Sequence, residues 1–185
     1  MTTDAGKRNV LTIVLFAIYA VVLVGIILFK FPFQYDLSTI GASADGLSTN
    51  GRDLNLIPFA GNYSDSRGFG IGDLVENVLV FIPLGVYLSM LRIPRGGGMQ
   101  GFWMRALVVA GTSVAFEVIQ YAFAIGHADI TDVICDTVGG VVGIGVYGLA
   151  AVALKSRTTR VLNIIAIVLT VLALVFFVYL RLHSR

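Results

Sequence analysis

The sequence predicts an all-α, polytopic membrane protein, a bundle of about five transmembrane helices in a single membrane domain. The chain of 185 residues is 57% hydrophobic and 13% charged, whereas about 25% of the residues of a soluble domain are charged. Its mean hydropathy is +0.88. Five segments are long enough to cross a hydrocarbon core, which takes about 20 apolar residues. They are 9–31, 73–91, 105–125, 132–154 and 161–180.

The distribution of positive charge predicts an inside N-terminus and an outside C-terminus. With that orientation, eight Lys and Arg residues fall on the inner side and five on the outer side, as the positive-inside rule requires. The acidic residues agree, because only Asp4 of the eleven falls inside. We expect a location in a membrane, with several membrane crossings.

Two connecting segments differ in character. Residues 32–72 form a long outer loop, which we interpret as a partly ordered lid because loops of this length are commonly functional or disordered. It contains the apolar stretch "NLIPFAG" at 55–61, which should be buried on the bundle or in the lipid headgroup layer. The stretch "RIPRGGGMQGFWMR" at 92–105 suits a flexible inner loop beside anionic lipid, and it lacks a complete phosphate-binding loop motif.

The fourth span opens with an acidic stripe. Asp129, Asp132 and Asp136 are followed at helical spacing by small residues and by Tyr147, so one face of the helix changes from acidic to glycine. Gly139 starts a G-x-x-x-G pair, which lets another helix approach closely. This face therefore should point into the bundle.

The second and third spans carry polar residues of their own. On the third span Ser113, Glu117, Gln120 and Tyr121 share one helical face, which continues to Ala124. Glu117 comes out about 12 Å below the outer end at 1.5 Å per residue. On the second span Asp73 and Asn77 lie one turn apart, on the side that also carries Phe81 and Leu84, and Pro83 should loosen the backbone locally.

These polar groups all fall in the outer half of the predicted membrane, although the chain direction alternates. Charged side chains within spans usually face the bundle interior or a wet cavity, so we predict one acidic pocket open to the outside. The structural alternative is that Thr131 or Asp132 caps the helix and that Asn77 and Gln120 only join helices. It leaves Glu117 unexplained, because that residue is too deep to be a cap.

The chemistry of such a pocket remains open at this level. Crowded carboxylates repel, so at least one of Glu117, Asp132 and Asp136 should take up a proton or a cation. No cofactor is expected, but these three are candidate ligands for Ca²⁺ or Mg²⁺, with His127 as a further donor. A carboxylate such as Glu117 also suits a general base. No nucleophile elbow, zinc-protease motif or dinucleotide fingerprint is present, and no nucleic-acid partner is expected.

At these residues the chain resembles the VanZ-like family of membrane proteins, which is named for teicoplanin resistance. The resemblance covers about residues 20–150 and rests on four ordered pieces, each beside its own span. They are "NLIPF" at 55–59, "DLVENVLVFIPLG" at 73–85, "FEVIQ" at 116–120 and "DITDVICDTVGG" at 129–140. Two departures are notable: Asp136 stands where the pattern leads us to expect asparagine, and an arginine often found shortly before the aspartates is absent.

The pocket residues predicted from spacing and from the resemblance together are Asn55, Pro58, Phe59, Asp73, Asn77, Glu117, Gln120, Asp129, Asp132 and Asp136. We expect Asn77 and Gln120 to orient the carboxylates. The resemblance implies a role in resistance to glycopeptide or lipoglycopeptide antibiotics, or in cell-envelope homeostasis.

The expected partners are membrane lipids and a lipid-tailed glycopeptide or lipid-linked cell-wall precursor. Three alternatives stay open. The first is an intramembrane enzyme acting on such a precursor or on a phospholipid, with Glu117 as its catalytic base. The second is a cation or proton carrier, although the inner halves of the spans lack an acidic relay. The third is a structural subunit of a larger complex.

Overall fold

A computed structural model describes residues 3–29, 53–59, 71–125 and 127–183 of the chain. Most of the predicted lid at 32–72 therefore lies outside the described residues. The described part consists of helices with one pair of three-residue strands, so the predicted all-α fold class is confirmed with a small addition. The elements are α1 Thr3–Phe29, β1 Asp53–Asn55, α2 Ile71–Leu91, α3 Gly98–Phe123, β2 His127–Asp129, α4 Ile130–Leu154 and α5 Thr158–His183.

Four segments of the described chain are long and apolar enough to cross a membrane. They are Val10–Leu28, Leu74–Leu91, Gly98–Phe123 and Ile130–Val175. The last segment has 46 residues and runs through α4 and α5, which a 3₁₀ turn at Lys155–Arg157 joins. Because one crossing takes about 20 residues, this segment is long enough for two crossings. The number of crossings and their orientation stay predictions.

Helices α2 and α4 pack against each other with their backbones in direct contact. A Cβ atom added to Gly139 would meet the carbonyl oxygen of Val78, and one added to Gly143 would meet that of Ile82. A Cβ on Gly85 would likewise meet the α4 backbone. The contacts advance by four residues on both helices, so α2 and α4 run in the same direction. The predicted close approach at the G-x-x-x-G pair is confirmed.

A compact apolar core lies between α1, α2 and α3. Phe81 of α2 and Val109 of α3 are fully buried, and the ring of Phe81 meets that of Phe116 edge to face, with centroids 6.4 Å apart. Leu23 of α1 closes the cluster. These residues hold the three helices together below the polar groups near the start of α4.

Helix α2 stays continuous through Pro83. Proline has no N–H, so the carbonyl one turn earlier, at Leu79, loses its usual helical donor. On the neighbouring carbonyl, that of Val80, the hydroxyl of Tyr19 donates a hydrogen bond of 2.8 Å. The hydrogen bond from α1 thus lies within one turn of Pro83, where the sequence predicts a locally loosened backbone.

Helix α5 is attached to α1 by a buried polar pair. Thr12 and Asn163 exchange hydrogen bonds of 3.2 and 3.0 Å between their side chains, and both are almost fully buried. Many large apolar side chains elsewhere on α5 are exposed, as expected where lipid is the solvent. A hydrogen-bonded pair inside an apolar bundle fixes which face of α5 meets α1.

We expect the α2–α4 crossing to be intolerant of a methyl group at Gly143 and tolerant of one at Gly145. The Gly143→Ala variant places its Cβ against the carbonyl of Ile82, whereas Gly145 faces open space. Overpacking of this kind typically costs about 1–3 kcal/mol, while alanine improves an exposed helix position by up to about 1 kcal/mol. Thermal unfolding of the two detergent-solubilised variants measures the difference, and equal melting temperatures would contradict this packing.

Candidate functional site

A short parallel strand pair organises the end of the molecule at which α4 begins. Strand β1 lies beside β2, with Asp53 opposite His127, Leu54 opposite Ala128 and Asn55 opposite Asp129. The sequence does not predict these strands, because three residues are too few for an alternating pattern to emerge. The pairing brings the "NLIPF" segment directly beside the acidic stripe of α4.

Asp129 is the residue that caps helix α4. Its Oδ1 accepts a hydrogen bond of 2.7 Å from the backbone N–H of Thr131, as an N-cap aspartate does. The expectation that Thr131 or Asp132 caps this helix is wrong, because β2 extends to Asp129 and the helix begins at Ile130. Asp132 lies in the first turn instead, where a negative charge is favoured by the helix dipole.

Two hydrogen bonds fasten the 53–59 segment to the start of α4. The side-chain amide of Asn55 donates to Asp129 Oδ2 at 3.1 Å, and the backbone N–H of Phe59 donates to Thr131 Oγ1 at 3.0 Å. Asn55 also accepts from the N–H of Ile57 through its Oδ1. Because it both donates and accepts, Asn55 holds the bend that follows β1.

The apolar side chains of this segment do not pack on the helices. Leu56, Ile57 and Phe59 are 66%, 68% and 52% exposed, and Pro58 is exposed as well. Burial on the bundle, one of the two expectations for this stretch, is therefore wrong for these residues, since backbone and Asn55 contacts fasten the segment instead. Burial in the lipid headgroup layer, the other expectation, remains a prediction.

Glu117 of α3 reaches the same strand pair. Its Oε2 accepts a hydrogen bond of 2.7 Å from the backbone N–H of Asp129, and the residue is only 9% exposed. Strand β2 folds back against α3, so a carboxylate well inside the helix contacts the beginning of α4. The depth of Glu117 in the membrane stays a prediction.

Asn77 and Asp132 connect α2 with α4. The amide of Asn77 donates to Asp132 Oδ1 at 2.7 Å, and both residues are half-buried. Asn77 thus orients a carboxylate as expected. The same bond also joins two helices, as the structural alternative requires.

Asp136 is the most enclosed of the carboxylates. It is 2% exposed, and its Oδ2 accepts a hydrogen bond of 2.6 Å from the hydroxyl of Ser113 on α3. Within the described part of the chain, Oδ1 has no hydrogen-bond partner. Ser113 was not among the predicted pocket residues, although its position one turn before Glu117 was a usable signal.

Gln120 does not orient the carboxylates through its amide group. Its Nε2 donates to the backbone carbonyl of Ile27 at 2.8 Å, which joins α3 to α1. Gln120 and Glu117 are buried on the predicted face of α3, but Tyr121 and Ala124 are exposed because the buried stripe follows positions 109, 113, 116, 117 and 120. The structure does not describe the side chains of Asp73 and His127.

The arrangement is rich in acceptors held by donors from neighbouring elements. The carboxylates of Glu117, Asp129, Asp132 and Asp136 lie around the junction of α2, α3, α4 and the strand pair, and each accepts a hydrogen bond from another element. Among the described residues, no three His, Cys, Asp or Glu side chains come together in a way that could hold a metal ion. The arrangement therefore suits ligands that bring hydrogen-bond donors or positive charge.

A cavity of about 770 Å³ lies at the other end of the helices, around the turn from α2 to α3. Its lining contains none of the carboxylates of this cluster. We base the candidate site on the hydrogen-bonded acidic cluster, because that is where side chains from separate parts of the sequence converge.

Comparison with known proteins agrees with the motifs that this site contains. The chain is 36% identical over 172 residues to Protein VanZ of Enterococcus faecium, and the alignment covers 91% of this chain and 94% of the relative. Helix α5 has 26 residues, more than the part left outside that alignment, so the alignment extends into α5. No solved structure matches the chain.

The family comparison covers most of the chain. The sequence profile described as VanZ/LLP1 matches residues 16–152, which contain β1, β2 and all the residues of the acidic cluster. The resemblance to VanZ-like proteins is thereby confirmed. This chain is a membrane protein and belongs to the VanZ/LLP1 family.

Proposed function

We propose that the protein contributes to glycopeptide resistance of the teicoplanin type, or to cell-envelope homeostasis, from the bacterial cytoplasmic membrane. In this proposal it crosses the membrane several times and presents the acidic cluster at the outer leaflet. The ligand is a lipid-tailed glycopeptide or a lipid-linked cell-wall precursor. Family membership supports a role in resistance or envelope homeostasis, and the acidic cluster supports ligand binding at the outer leaflet.

One observation carries the proposal: carboxylates from α3 and α4 are held in fixed positions by donors from other elements. Asn77 donates to Asp132, and Ser113 donates to Asp136. The N–H of Asp129 donates to Glu117. A group of acceptors fixed in this way needs little reorganisation when it meets a ligand, which lowers the cost of binding.

The placement at the outer leaflet is supported by the distribution of charge. The acidic cluster lies where α2 and α4 begin and α3 ends, whereas Arg92, Arg95 and Arg105 lie at the opposite end of α2 and α3. By the positive-inside rule the arginine end faces the cytoplasm. The cluster then lies at the depth at which lipid-linked cell-wall compounds and lipid-tailed antibiotics meet the membrane.

The exposed apolar side chains beside the cluster support an amphiphilic ligand. Leu54, Leu56, Ile57 and Phe59 are all more than half exposed, and the segment is fastened to the start of α4. Apolar side chains next to acceptors give a surface with two chemical characters. A molecule with a lipid tail and a polar or cationic head is complementary to both.

Removing charge from the cluster should abolish the effect on teicoplanin. We expect Glu117→Gln and Asp132→Asn to lower the minimal inhibitory concentration towards that of cells without the protein. Each amide still accepts the hydrogen bond that its carboxylate accepts, so the fold is kept while the charge is lost. Loss of one charge-assisted hydrogen bond to the ligand corresponds to about tenfold weaker binding.

The matched control for this experiment is Glu76→Gln. Glu76 is an exposed carboxylate on α2, one residue before Asn77, and its replacement changes net charge equally. Membrane levels of all variants are compared by immunoblotting. If Glu117→Gln and Asp132→Asn retain full teicoplanin resistance at normal protein levels, the proposal fails.

The fastening of the 53–59 segment should matter for the same function. Thr131→Val removes the oxygen that accepts from the N–H of Phe59 while keeping the shape of the side chain. We expect faster amide hydrogen exchange at residues 55–59 and reduced teicoplanin resistance, since one lost hydrogen bond costs about 0.5–1.5 kcal/mol.

Thr112→Val is the control for this change, because the hydroxyl of Thr112 donates only within its own helix, to Val108. Exchange measured by mass spectrometry distinguishes the two variants. Equal exchange at residues 55–59 in both would contradict the assigned contact.

A further inference from the structure

The cavity at the turn between α2 and α3 is lined by a group of arginines. It measures about 770 Å³, and Arg92, Arg95 and Arg105 all contribute to its wall, together with Tyr147 of α4. No Asp or Glu is among the lining residues that the structure describes, and the segment 92–105 contains none. Three positive charges therefore face one cavity without a carboxylate in its wall.

Contacts within the turn hold the side chain of Arg105 at the wall of the cavity. Gly96 folds back over the first turn of α3, so close that a Cβ on Gly101 would lie 2.7 Å from the Gly96 carbonyl oxygen. That carbonyl accepts a hydrogen bond of 3.0 Å from one terminal nitrogen of Arg105. The Nε of Arg105 is buried and has no partner among the described residues.

The first turn of helix α3 adds backbone donors near the same cavity. Its N-cap is Gly97, which provides no side-chain cap, and its first turn contains no acidic residue. The first N–H groups of a helix have no partner within the helix, and with the helix dipole they favour an anion. Gly97 itself lines the cavity, so these donors and the arginines lie in the same place.

We propose that this arginine cavity binds a phosphate group, carried either on the headgroup of a membrane lipid or on a soluble phosphate ester. Guanidinium groups present paired N–H donors that match phosphate oxygens. The volume falls within the range of about 300–1,000 Å³ that is usual for ligand pockets, so it accommodates a headgroup rather than a bare ion. The site is separate from the acidic cluster and does not depend on the function proposed for it.

The surroundings place this site at the level of lipid headgroups. Trp103 and Met99 are 58% and 71% exposed in the first turns of α3, and exposed Trp is typical of the interface between lipid and water. The arginines lie where two apolar helices, α2 and α3, end and begin. Basic pockets between helices at this level are suited to anionic lipid headgroups.

The test uses native mass spectrometry of the purified full-length chain in detergent. Phosphatidylglycerol and phosphatidic acid are the lipid probes, diacylglycerol is the lipid without phosphate, and glycerol 3-phosphate is the soluble competitor. We expect both phospholipids to bind and diacylglycerol not to bind. Each of Arg92→Gln, Arg95→Gln and Arg105→Gln should weaken binding about fivefold, the usual effect of one basic residue beside anionic lipid.

Matched controls are Arg157→Gln and Arg160→Gln, which remove exposed positive charge near the same end of the molecule without touching the cavity. Arg105→Lys keeps the charge but loses the paired donors, so it should lie between wild type and Arg105→Gln. Displacement by glycerol 3-phosphate would support the proposal with a soluble ester as the ligand, and retention of phospholipid would support it with a lipid. Equal binding of diacylglycerol, or equal weakening in the controls, would overturn it. If Arg105→Gln does not fold, Arg95→Gln and Arg105→Lys decide.

Discussion

The contact between the backbones of α2 and α4 is the constraint on which the rest of the structure depends. Gly139 and Gly143 leave no side chain between the two helices, so the carbonyls of Val78 and Ile82 lie directly against α4. At that separation a short amide such as Asn77 spans the gap to Asp132. A larger residue at either glycine would push the helices apart and separate the groups that meet at the start of α4.

The sequence predicts most of the helical framework, because helices that cross lipid require long apolar stretches with few charges. It also predicts that Glu117 and Asp136 are buried, since helical spacing places them on inward faces. It does not predict the strand pair or the cap at Asp129, because those depend on how a distant segment around Asn55 returns to α4. Gln120 illustrates the same limit: its burial follows from spacing, but its partner Ile27 is 93 positions away.

The two ends of the bundle have opposite chemistry, and one helix face joins them. The inward stripe of α4 begins with Asp132 and Asp136, continues through Gly143 and ends at Tyr147, which lines the arginine cavity. Between Asp136 and Tyr147 the helix rises about 16 Å. Over that distance the surroundings of α4 change from carboxylates, which accept hydrogen bonds, to arginines, which donate them. The two ends of this helix therefore favour surroundings of opposite charge. Because the cytoplasmic surface of a membrane is anionic, an orientation with the arginine end on that side meets this preference and the reverse orientation does not.

The contact with Ser113 is compatible with a carboxylate at position 136, where the VanZ-like pattern leads us to expect asparagine. A serine hydroxyl can donate to a carboxylate oxygen as well as to an amide oxygen, so the contact between Ser113 and Asp136 does not discriminate between them. Aspartate and asparagine differ in the other terminal atom of the side chain, the one that Ser113 does not contact. An amide offers a donor there, whereas Asp136 offers Oδ1, which has no partner among the described residues. Because an unsatisfied buried polar atom is costly, Oδ1 of Asp136 requires a hydrogen-bond donor or a proton, whereas the amide nitrogen of an asparagine in its place would require an acceptor.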